Sequence, residues 1–348
     1  MTLRWGIIGC GDVCEVKSGP ALYKARGSAL TWVMRRDGER AADFARRHGV
    51  ARHTTDADEL IAAPDVDIVY IATPPGDHEA YALRVARANK PCYVEKPMAR
   101  SAAECGRMRE AFARAGQPLF VAYYRRALPR FARVRELLAD GAIGRVLTVS
   151  HVYQGRANPS AAPGVVPGWR EHVPASGGGL FVDLASHVVD LLDHWFGPLL
   201  EVAGHAARLS QPAAQRAGQP EDTVVASFRT TQGALGTLRY QFHTSATLDR
   251  LELVGTDGRL ALSVFGAEPL ELETARGREA LAVEQPEHVH QPLVQTIVDE
   301  LEGRGRCPST AESAERASAV LDRVLDGYYG GRSDVFWERP GSWPGAAR

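Results

Sequence analysis

The sequence predicts an α/β domain with a parallel sheet, followed by an α+β domain with a mainly antiparallel sheet. In roughly the first 120 residues, short apolar runs alternate with helical stretches, which is the pattern of βαβ units. After about residue 122, paired apolar runs joined by turn residues replace this alternation. A chain of 348 residues also exceeds the usual size of one hydrophobic core. We therefore expect domains at 1–122 and 123–348, with the C-terminal helices free to pack back on the first.

The predicted strands of the first domain are short apolar runs. They are LRWGIIG, ALTWVMR, VDIVYIAT, KPCYVE and QPLFVAY. The predicted helices between them are ERAADFARRHG, DHEAYALRVARANK and SAAECGRMREAFARAG, of which the last two end in Lys-Pro or Gly, as helices should. The loops after several of these strands meet at one edge of a parallel sheet, where open α/β sheets bind ligands.

The second domain mixes helices with strand pairs. The predicted helices are FARVRELLADGAIG, a segment from about Phe181 to Trp195, QPLVQTIVDELEG and ESAERASAVLDRVLDGYYGG. The predicted strands are VLTVSHVYQG and the hairpins TVVASFRTTQGALGTLRYQFHT and RLELVGTDGRLALSVFG, and the tail RSDVFWERPGSWPGAAR is expected to be a loop with disordered final residues. These helices can cover only one face of the sheet. An open apolar face predicts a homodimer or a homotetramer.

Composition excludes several classes of partner. Lys plus Arg number 41 and Asp plus Glu 42, so no net field steers nucleic acid or an anionic membrane to this chain. The start MTLRWGIIGC reads as a strand and not as a signal peptide, and no run approaches the length of a membrane span. The five cysteines form no CxxC pair, and an odd count fits reduced thiols. We expect a cytoplasmic protein.

The turn after the first strand carries part of a dinucleotide-binding fingerprint. Gly9 and Gly11 supply its GxG, one for the tight turn and one for close approach of the backbone to a pyrophosphate. Cys14 stands where the third glycine would be, so the match is incomplete and a plain glycine turn is the alternative. The predicted cofactor contacts in this turn are Gly9, Cys10, Gly11, Asp12 and Val13.

The residues at the end of the second strand indicate which dinucleotide the chain prefers. Arg35 and Arg36 stand where NAD enzymes typically carry an acidic residue, and two guanidinium groups there suit the 2′-phosphate of NADP. Asp37 is better interpreted as the N-cap of the next helix. NADP is therefore the preferred cofactor, NAD is the alternative, and a solvated arginine pair is the plain interpretation of Arg35 and Arg36.

Two further loops deliver polar residues to the same edge. Thr73 and Pro74 begin a rigid loop and are predicted cofactor contacts, as are Glu95 and Lys96 of the next loop. In the first of these loops, His78 either contacts the cofactor or has a structural role. Glu95 and Lys96 stand at the tip of the strand KPCYVE, immediately before a proline. A lysine there can stabilise developing negative charge on a substrate oxygen, and Glu95 can offset its charge or hold it in place. A surface Lys-Pro turn is the alternative.

Asp183 and His187 are four residues apart in a predicted helix, hence on one face. Such a pair can share proton-transfer work, or can be a structural hydrogen bond. The preceding stretch from Ser176 to Gly179 is expected to be flexible, so that backbone can approach a ligand closely. His288 and His290 come with no identifiable third ligand, so no metal site is predicted.

The sequence resembles the Gfo/Idh/MocA oxidoreductases over nearly the whole chain. The resemblance is carried by four segments that occur in the order of that family: GCGDV, ATPPGDH, EKP and GGGLFVDLASH. The resemblance implies an α/β Rossmann domain followed by an α+β domain with a large, mainly antiparallel open sheet. It also implies that Lys96, Asp183 and His187 are catalytic. Further residues matching positions of substrate contact or pocket closure are Tyr124, Arg125, Trp169 and Arg170.

The expected function is NAD(P)-dependent hydride transfer to or from a sugar, polyol or related small molecule, without a metal. The identity of the substrate depends on loops such as Asn158 to Gly168, whose sequence does not indicate which substrate binds. A dihydrodiol-dehydrogenase-like or biliverdin-reductase-like enzyme is one alternative. A non-catalytic nucleotide-sensing regulator of the same fold is another, although the presence of Lys96, Asp183 and His187 together counts against it.

Overall fold

The computed structural model describes residues 2–156, 168–332 and 335–346. The chain divides into two compact units. The first unit consists of Met1–Leu128 and Gln285–Glu315, and the second of Pro129–Glu284 and Arg316–Arg348. Of the loop from Asn158 to Gly168, only Gly168 lies within the described residues. The assignment of substrate binding and oligomerisation to residues 123–348 stays a prediction.

The first unit is built on one fully parallel sheet of six strands, in the order β3-β2-β1-β4-β5-β6. The strands are β1 (Leu3–Ile8), β2 (Ser28–Met34), β3 (Arg52–Thr54), β4 (Ile68–Ile71), β5 (Cys92–Val94) and β6 (Leu119–Val121). The predicted Rossmann architecture is confirmed. Because the sheet is parallel and β1, β4 and β5 are neighbours, the loops that follow these three strands lie side by side at one edge.

Helices cover both faces of this sheet. They are α1 (Asp12–Val16), α2 (Gly19–Lys24), α3 (Gly38–His48), α4 (Ala57–Ala62), α5 (Pro75–Arg87), α6 (Ala102–Ala115), α10 (Gln291–Leu301) and the first residues of α11 (Ala311–Tyr329). Two apolar clusters result, one containing Ile8 and Phe112 and the other Ile7 and Ile297. Consecutive residues of β1 thus point into opposite clusters, and every residue of β4 is fully buried.

The second unit contains an eight-stranded sheet in the order β14-β13-β12-β11-β7-β10-β9-β8. Its strands are β7 (Val146–Arg156), β8 (Leu200–Ala207), β9 (Thr223–Arg229), β10 (Leu235–Thr244), β11 (Leu248–Gly255), β12 (Gly258–Leu262), β13 (Leu270–Thr274) and β14 (Gly277–Leu281). Only the β7–β10 pair is parallel, so the predicted mainly antiparallel sheet is confirmed. The helices of this unit are α7 (Pro129–Ala139), α8 (Val173–Ser176), α9 (Leu180–Phe196) and the rest of α11.

In strands β9 and β10, one face of the sheet is buried and the other is exposed. Buried and exposed residues alternate along β9 and β10, as the two-residue period of a strand requires. The expected apolar open face stays a prediction, since the exposed side of these two strands mixes apolar and polar residues. Exposed Val225 and Leu235 are interspersed with Ser227, Thr237 and Arg239, which belong to the same face. A homodimer or homotetramer stays a prediction.

The C-terminal tail is more ordered than its composition predicts. Phe336, Trp337 and Trp343 are buried, and the rings of Phe336 and Trp343 pack against Tyr329 at the end of α11. Residues 333–334 and 347–348 lie outside the described part. Within the described residues, no helix combines the length and the apolar character needed to span a bilayer.

Candidate active site

The glycine turn after β1 has the geometry that the fingerprint requires. Gly9 has a φ of +87°, and a Cβ there would lie 2.8 Å from Thr73 Cγ2, so both conformation and space demand glycine. Its N–H donates to the carbonyl of Met34 at 2.9 Å, which ties the turn to β2. Gly11 is different, since a Cβ there would meet only the Gly9 carbonyl oxygen, at 3.8 Å. The space in front of Gly11 is therefore open.

Cys14 fills the place of the third fingerprint glycine. It is fully buried in an apolar cluster, and burial raises the pKa of its thiol far above the ordinary value. The glycine that allows close backbone packing here is Gly19, not residue 14. A Cβ on Gly19 would lie 2.1 Å from the Cys14 carbonyl oxygen. Burial also raises the pKa of the Cys10 thiol, to about 11. Both cysteines are therefore uncharged packing residues of the turn.

Arg35 reaches the glycine turn from the end of β2. Its Nη1 donates to the carbonyl of Cys10 at 3.1 Å, and the side chain is half-buried. Arg36 is exposed, so the structure brings only one of the two arginines onto the turn. Asp37 accepts the N–H of Arg40 at 3.1 Å as the N-cap of α3, and its predicted capping role is confirmed.

The loop after β4 borders the same turn. The hydroxyl Oγ1 of Thr73 is buried and has no hydrogen-bond partner among the described residues. A buried hydroxyl without a partner is costly, and a bound ligand can supply that partner. Together with the open space at Gly11, this hydroxyl shows that the residues present fit a dinucleotide lying across the turn.

His78 supports the loop after β4 from behind. It is completely buried, with Nε2 2.7 Å from the carbonyl oxygen of Thr73 and Nδ1 3.1 Å from that of Met98. Burial lowers its pKa, and a neutral imidazole can donate to only one of the two carbonyls. This placement favours the structural alternative for His78, which offers no surface to a ligand.

Glu95 and Lys96 follow β5 at the same edge. Glu95 is buried, accepts the hydroxyl of Tyr70 at 2.5 Å through Oε1, and accepts the backbone N–H of Lys96 at 3.2 Å through Oε2. Its own N–H donates to the carbonyl of Ile71 at 2.8 Å, which extends the β4–β5 pairing to the strand tip. Lys96 is half-buried. The loops carrying Gly9, Thr73 and Lys96 therefore converge at one edge, as predicted from the parallel strand order.

Sequence reasoning missed the importance of His290, which precedes α10. The side chain is fully buried, and its Nδ1 lies 2.9 Å from the hydroxyl of Tyr93. Its Nε2 lies 3.8 Å from Oε1 of Glu95. His288 is separate: its Nδ1 lies 2.7 Å from the Val16 carbonyl and its Nε2 2.6 Å from Nζ of Lys24. No metal-binding cluster of His, Cys, Asp or Glu occurs among the described residues.

Tyr124 and Arg125 occupy a 3-10 turn just after β6. Arg125 is largely buried, its Nη1 donates to the Tyr124 hydroxyl oxygen at 3.0 Å, and its guanidinium lies 5.0 Å from the centre of that ring. A second neighbour of Tyr124 is His290, whose ring centre lies 4.5 Å away in a stacked arrangement. Tyr124 is thus held by contacts with a cation and with an imidazole.

The remaining predicted residues lie in the second unit. Asp183 and His187 occupy successive turns of α9, and His187 is buried while Asp183 is partly exposed. The guanidinium of Arg170 pairs with Asp183 at 3.2 Å and lies 4.5 Å from the centre of the Trp169 ring. The structure therefore brings Trp169, Arg170 and Asp183 together, with His187 one turn further along α9.

The glycine stretch before α9 is not the flexible segment that the sequence predicted. Gly178 and Gly179 are buried, and a Cβ on Gly179 would lie 2.5 Å from the Glu221 carbonyl oxygen. The Gly179 N–H donates to both carboxylate oxygens of Glu221, and the Arg332 guanidinium donates to the Gly177 carbonyl at 2.7 Å. Glycine is needed here for close packing within the chain, and this packing fixes the start of α9.

Comparisons with known proteins agree with this geometry. The Rossmann-fold, NAD-binding model of the GFO/IDH/MocA oxidoreductase family matches residues 3–123, and the model of the GFO/IDH/MocA C-terminal domain matches residues 131–261. Oxidoreductase P35 of Formosa agariphila is 34% identical over 320 residues, covering 92% of this chain and 97% of that protein. The chain belongs to the GFO/IDH/MocA family of oxidoreductases, and the prediction of an NAD(P)-dependent dehydrogenase or reductase is confirmed.

Two further relatives extend the comparison. A 1,5-anhydro-D-fructose reductase of Ensifer adhaerens is 27% identical over 313 residues, covering 89% of this chain and 91% of that protein. The solved structure of a levoglucosan dehydrogenase in complex with NADH and levoglucosan aligns with a TM-score of 0.80 at 22% identity. It covers 94% of this chain and 97% of that one, which shows a shared fold over nearly the whole chain.

Proposed function

We propose that this chain transfers hydride between a nicotinamide cofactor, preferably NADP, and a hydroxyl-bearing carbon of a sugar, polyol or related small molecule. The observation that carries the proposal is the convergence of the Gly9–Gly11 turn, the Thr73 loop and Lys96 at one sheet edge. The sugar-related names of relatives such as the anhydrofructose reductase support the substrate class. The nicotinamide supplies the hydride acceptor or donor when it is bound.

The preference for NADP rests on Arg35. Its guanidinium is held on the glycine turn by the Cys10 carbonyl, so it stands at the end of β2, where the ribose of a dinucleotide binds in this fold. A guanidinium recognises a phosphate through charge-assisted hydrogen bonds, whereas NAD recognition typically uses a carboxylate there. Asp37 is already engaged as the N-cap of α3 and is not free to serve that purpose.

The proposed chemistry assigns the proton and the developing charge to different side chains. In the oxidation direction, His187 takes the hydroxyl proton as the hydride leaves the carbon, because a neutral imidazole can act as general base. Lys96 donates a hydrogen bond to the same oxygen and stabilises the negative charge that develops on it. Asp183 orients the imidazole or the lysine. Tyr124, Arg125, Trp169 and Arg170 are proposed to contact the substrate.

The remaining parts of the proposal concern assembly and location. We propose that residues 123–348 bind substrate and form a homodimer or homotetramer, which a monomeric mass in light scattering at micromolar protein would contradict. All five cysteines are buried as free thiols, which supports the proposed cytoplasmic location. Arg36 remains a proposed contact of the cofactor, whereas His78 is proposed to act on the cofactor site indirectly, by holding the Thr73 carbonyl.

The test is a panel of sugars and polyols incubated with NAD or NADP, followed through the absorbance of the reduced nicotinamide. We expect turnover of at least one hydroxylated substrate, with NADP preferred. Cofactor binding without any turnover across the panel would favour a nucleotide-sensing regulator of the same fold. Lys96→Met is the active-site control, and Lys90→Met is its match, because Lys90 precedes β5 at the opposite sheet edge and donates to the Ala63 carbonyl.

A further inference from the structure

His290 occupies a buried position directly behind the tip of β5. It belongs to the segment Gln285–Glu315, which follows the second sheet in the sequence but is part of the first unit. Its backbone N–H donates to the carbonyl of Lys17 at 3.3 Å, and its carbonyl accepts the N–H of Val294 at 2.9 Å. These two bonds fix the main chain of His290 between α1 and α10, so its imidazole enters the site from a rigid support.

The imidazole contacts three of the groups that form the β5–β6 side of the site. Nδ1 lies 2.9 Å from the Tyr93 hydroxyl, Nε2 lies 3.8 Å from Oε1 of Glu95, and the ring stacks on Tyr124 with centres 4.5 Å apart. Nε2 is buried and has no hydrogen-bond partner among the described residues. Its separation from Glu95 is about 1 Å longer than a hydrogen bond, so a small side-chain movement makes one.

The surroundings decide the protonation state of this imidazole. Burial lowers the pKa of His290 to about 3, and the positive charges of Lys17, Lys96 and Arg125 act in the same direction. The groups that face the ring are therefore these three cations, the Glu95 carboxylate and the hydroxyl-bearing rings of Tyr93 and Tyr124. The imidazole is neutral at any pH at which the protein is expected to work, and it carries a single N–H.

The position of that N–H follows from the two neighbours of the ring. If the proton were on Nδ1, the lone pair of Nε2 would face a carboxylate oxygen at 3.8 Å, which is repulsive. If the proton is on Nε2, the Tyr93 hydroxyl donates to Nδ1 and the Nε2–H faces Glu95. Of the two arrangements, only the second avoids placing a nitrogen lone pair against the carboxylate. Tyr70 and the Lys96 main chain also donate to this carboxylate, so the Nε2–H faces a group that already accepts hydrogen bonds.

We propose that His290 is a positioning residue: its neutral imidazole, held by Tyr93 and Tyr124, donates to Glu95 and thereby keeps that carboxylate ionised and fixed beside Lys96. Because the imidazole is uncharged, it orders Glu95 without neutralising it, which leaves the negative charge to stabilise the lysine ammonium. This inference rests on the proposed role of Lys96 in hydride transfer. The inference adds that His290, acting through Glu95, influences the proton affinity of Lys96.

The test measures the proton affinity of Lys96 directly and needs no substrate. Competitive acetylation of the folded protein as a function of pH, quantified by mass spectrometry of the peptide containing Lys96, gives its apparent pKa. In His290→Leu, Glu95 loses a donor and becomes easier to protonate, so we expect the apparent pKa of Lys96 to fall by roughly half a unit or more. His290→Gln restores an N–H donor and should return it most of the way to the wild-type value. Lys90 serves as the internal control, with an unchanged profile in every variant.

Two further readouts separate this role from packing alone. Nitrogen-15 spectra of the histidine side chains, assigned by loss of one signal in His290→Gln, should show a neutral Nε2–H tautomer from about pH 5 to 9. An Nδ1–H tautomer, or an imidazolium in that range, overturns the proposal. So does an identical Lys96 profile in wild type and His290→Leu, even if that variant is less thermostable.

Kinetics distinguish this inference from the proposed function. If the wild type turns over a substrate, His290→Leu should lower kcat roughly tenfold with KM for the cofactor nearly unchanged, and His290→Gln should recover most of the loss. Should the wild type turn over nothing, the proposed function fails, whereas the acetylation and nitrogen-15 results still decide whether His290 controls Lys96. A KM increase without a kcat decrease would contradict a role exerted through Lys96.

Discussion

Gly179 donates its backbone N–H to both carboxylate oxygens of Glu221, at 3.0 and 3.2 Å. Gly179 is the N-cap of α9 and has no side chain with which to cap the helix, so Glu221 supplies the acceptor from elsewhere in the chain. The hydroxyl of Tyr329 donates to the same carboxylate. This buried group thus fixes the start of the helix that carries Asp183 and His187.

Glu221→Leu should destabilise the protein by about 1–3 kcal/mol, because a buried N–H and a buried hydroxyl lose their acceptor. Glu221→Gln keeps one acceptor oxygen and should cost less. Glu201→Gln is the matched control, since Glu201 pairs with Arg229 at the surface and such pairs contribute little. Urea unfolding of the three variants measures the differences. Equal stabilities for Glu221→Leu and Glu201→Gln would contradict the capping role.

The same carboxylate predicts a pH dependence. Burial raises the pKa of Glu221 above its ordinary value of 4.5, so the folded protein binds this proton more tightly than the unfolded chain does. Its contribution to stability is therefore most favourable below that value and decreases as the pH rises through it toward the folded pKa. The difference in the free energy of unfolding, wild type minus Glu221→Gln, should therefore decrease as the pH rises through this window. A difference that rises with pH would mean that the folded pKa is lowered instead.

The two glycines of the first turn should respond differently to alanine. Gly9→Ala places a Cβ 2.8 Å from Thr73 Cγ2 at a φ of +87°, so it should cost about 1–3 kcal/mol of stability and also weaken cofactor binding. Gly11→Ala meets nothing closer than 3.8 Å, so it should leave the melting temperature unchanged. It should still weaken cofactor binding, because the added methyl enters the space assigned to the pyrophosphate. Calorimetric titration with unaltered affinity for Gly11→Ala would remove the turn from the cofactor site.

Arg35→Asp should weaken NADP binding by about 1.5–3 kcal/mol, the scale of a hydrogen bond to a charged group. NAD binding should change little or improve. Arg87→Asp makes the same charge change at the end of α5, on the opposite edge of the sheet, and should affect neither cofactor. Isothermal titration with both cofactors measures the four affinities. A wild type that prefers NAD would contradict the assignment of a 2′-phosphate to Arg35.

The parallel sheet and the position of Lys96 could be predicted because their signals are local. Apolar runs such as the one ending at Ile71 reveal buried strands, and chain order then places their loops at one edge. Strand β3 was missed because Arg52–Thr54 contains no apolar residue and pairs only at the sheet edge. Strand β14 was missed because only its last two residues are apolar and its side chains are almost all exposed.

Other features of the site depend on partners far away in sequence. Glu221 lies in a run of polar residues and proline that reads as a surface loop, and Tyr329 is 108 residues away. His290 is 197 residues from Tyr93, so neither neighbourhood reveals the contact. The glycines before α9 looked flexible because sequence alone does not distinguish a mobile glycine from one required by close packing. The local sequence gives one indication that His290 is buried, because this histidine stands immediately before the apolar helix α10.

His187→Asn should lower turnover by roughly two to four powers of ten, the range expected for losing a positioned general base. The double variant with Lys96→Met should lose less than the product of the two single losses, because residues that act as one unit are not additive. His194→Asn is the matched control near the other end of α9. Strict multiplicativity of the two losses would show that Lys96 and His187 act on separate steps.

The most direct test of the account is the comparison of Lys96→Met with Lys90→Met, measuring cofactor affinity and turnover on the same preparations. Lys96→Met should keep its fold and its cofactor affinity, because the glycine turn and not the lysine holds the pyrophosphate. Its kcat should fall by roughly two to four powers of ten, as expected for the loss of a positioned oxyanion stabiliser or proton donor. Lys90→Met should match the wild type in both quantities. If Lys96→Met binds cofactor normally and turns substrate over at the wild-type rate, Lys96 is structural and the proposed mechanism is wrong.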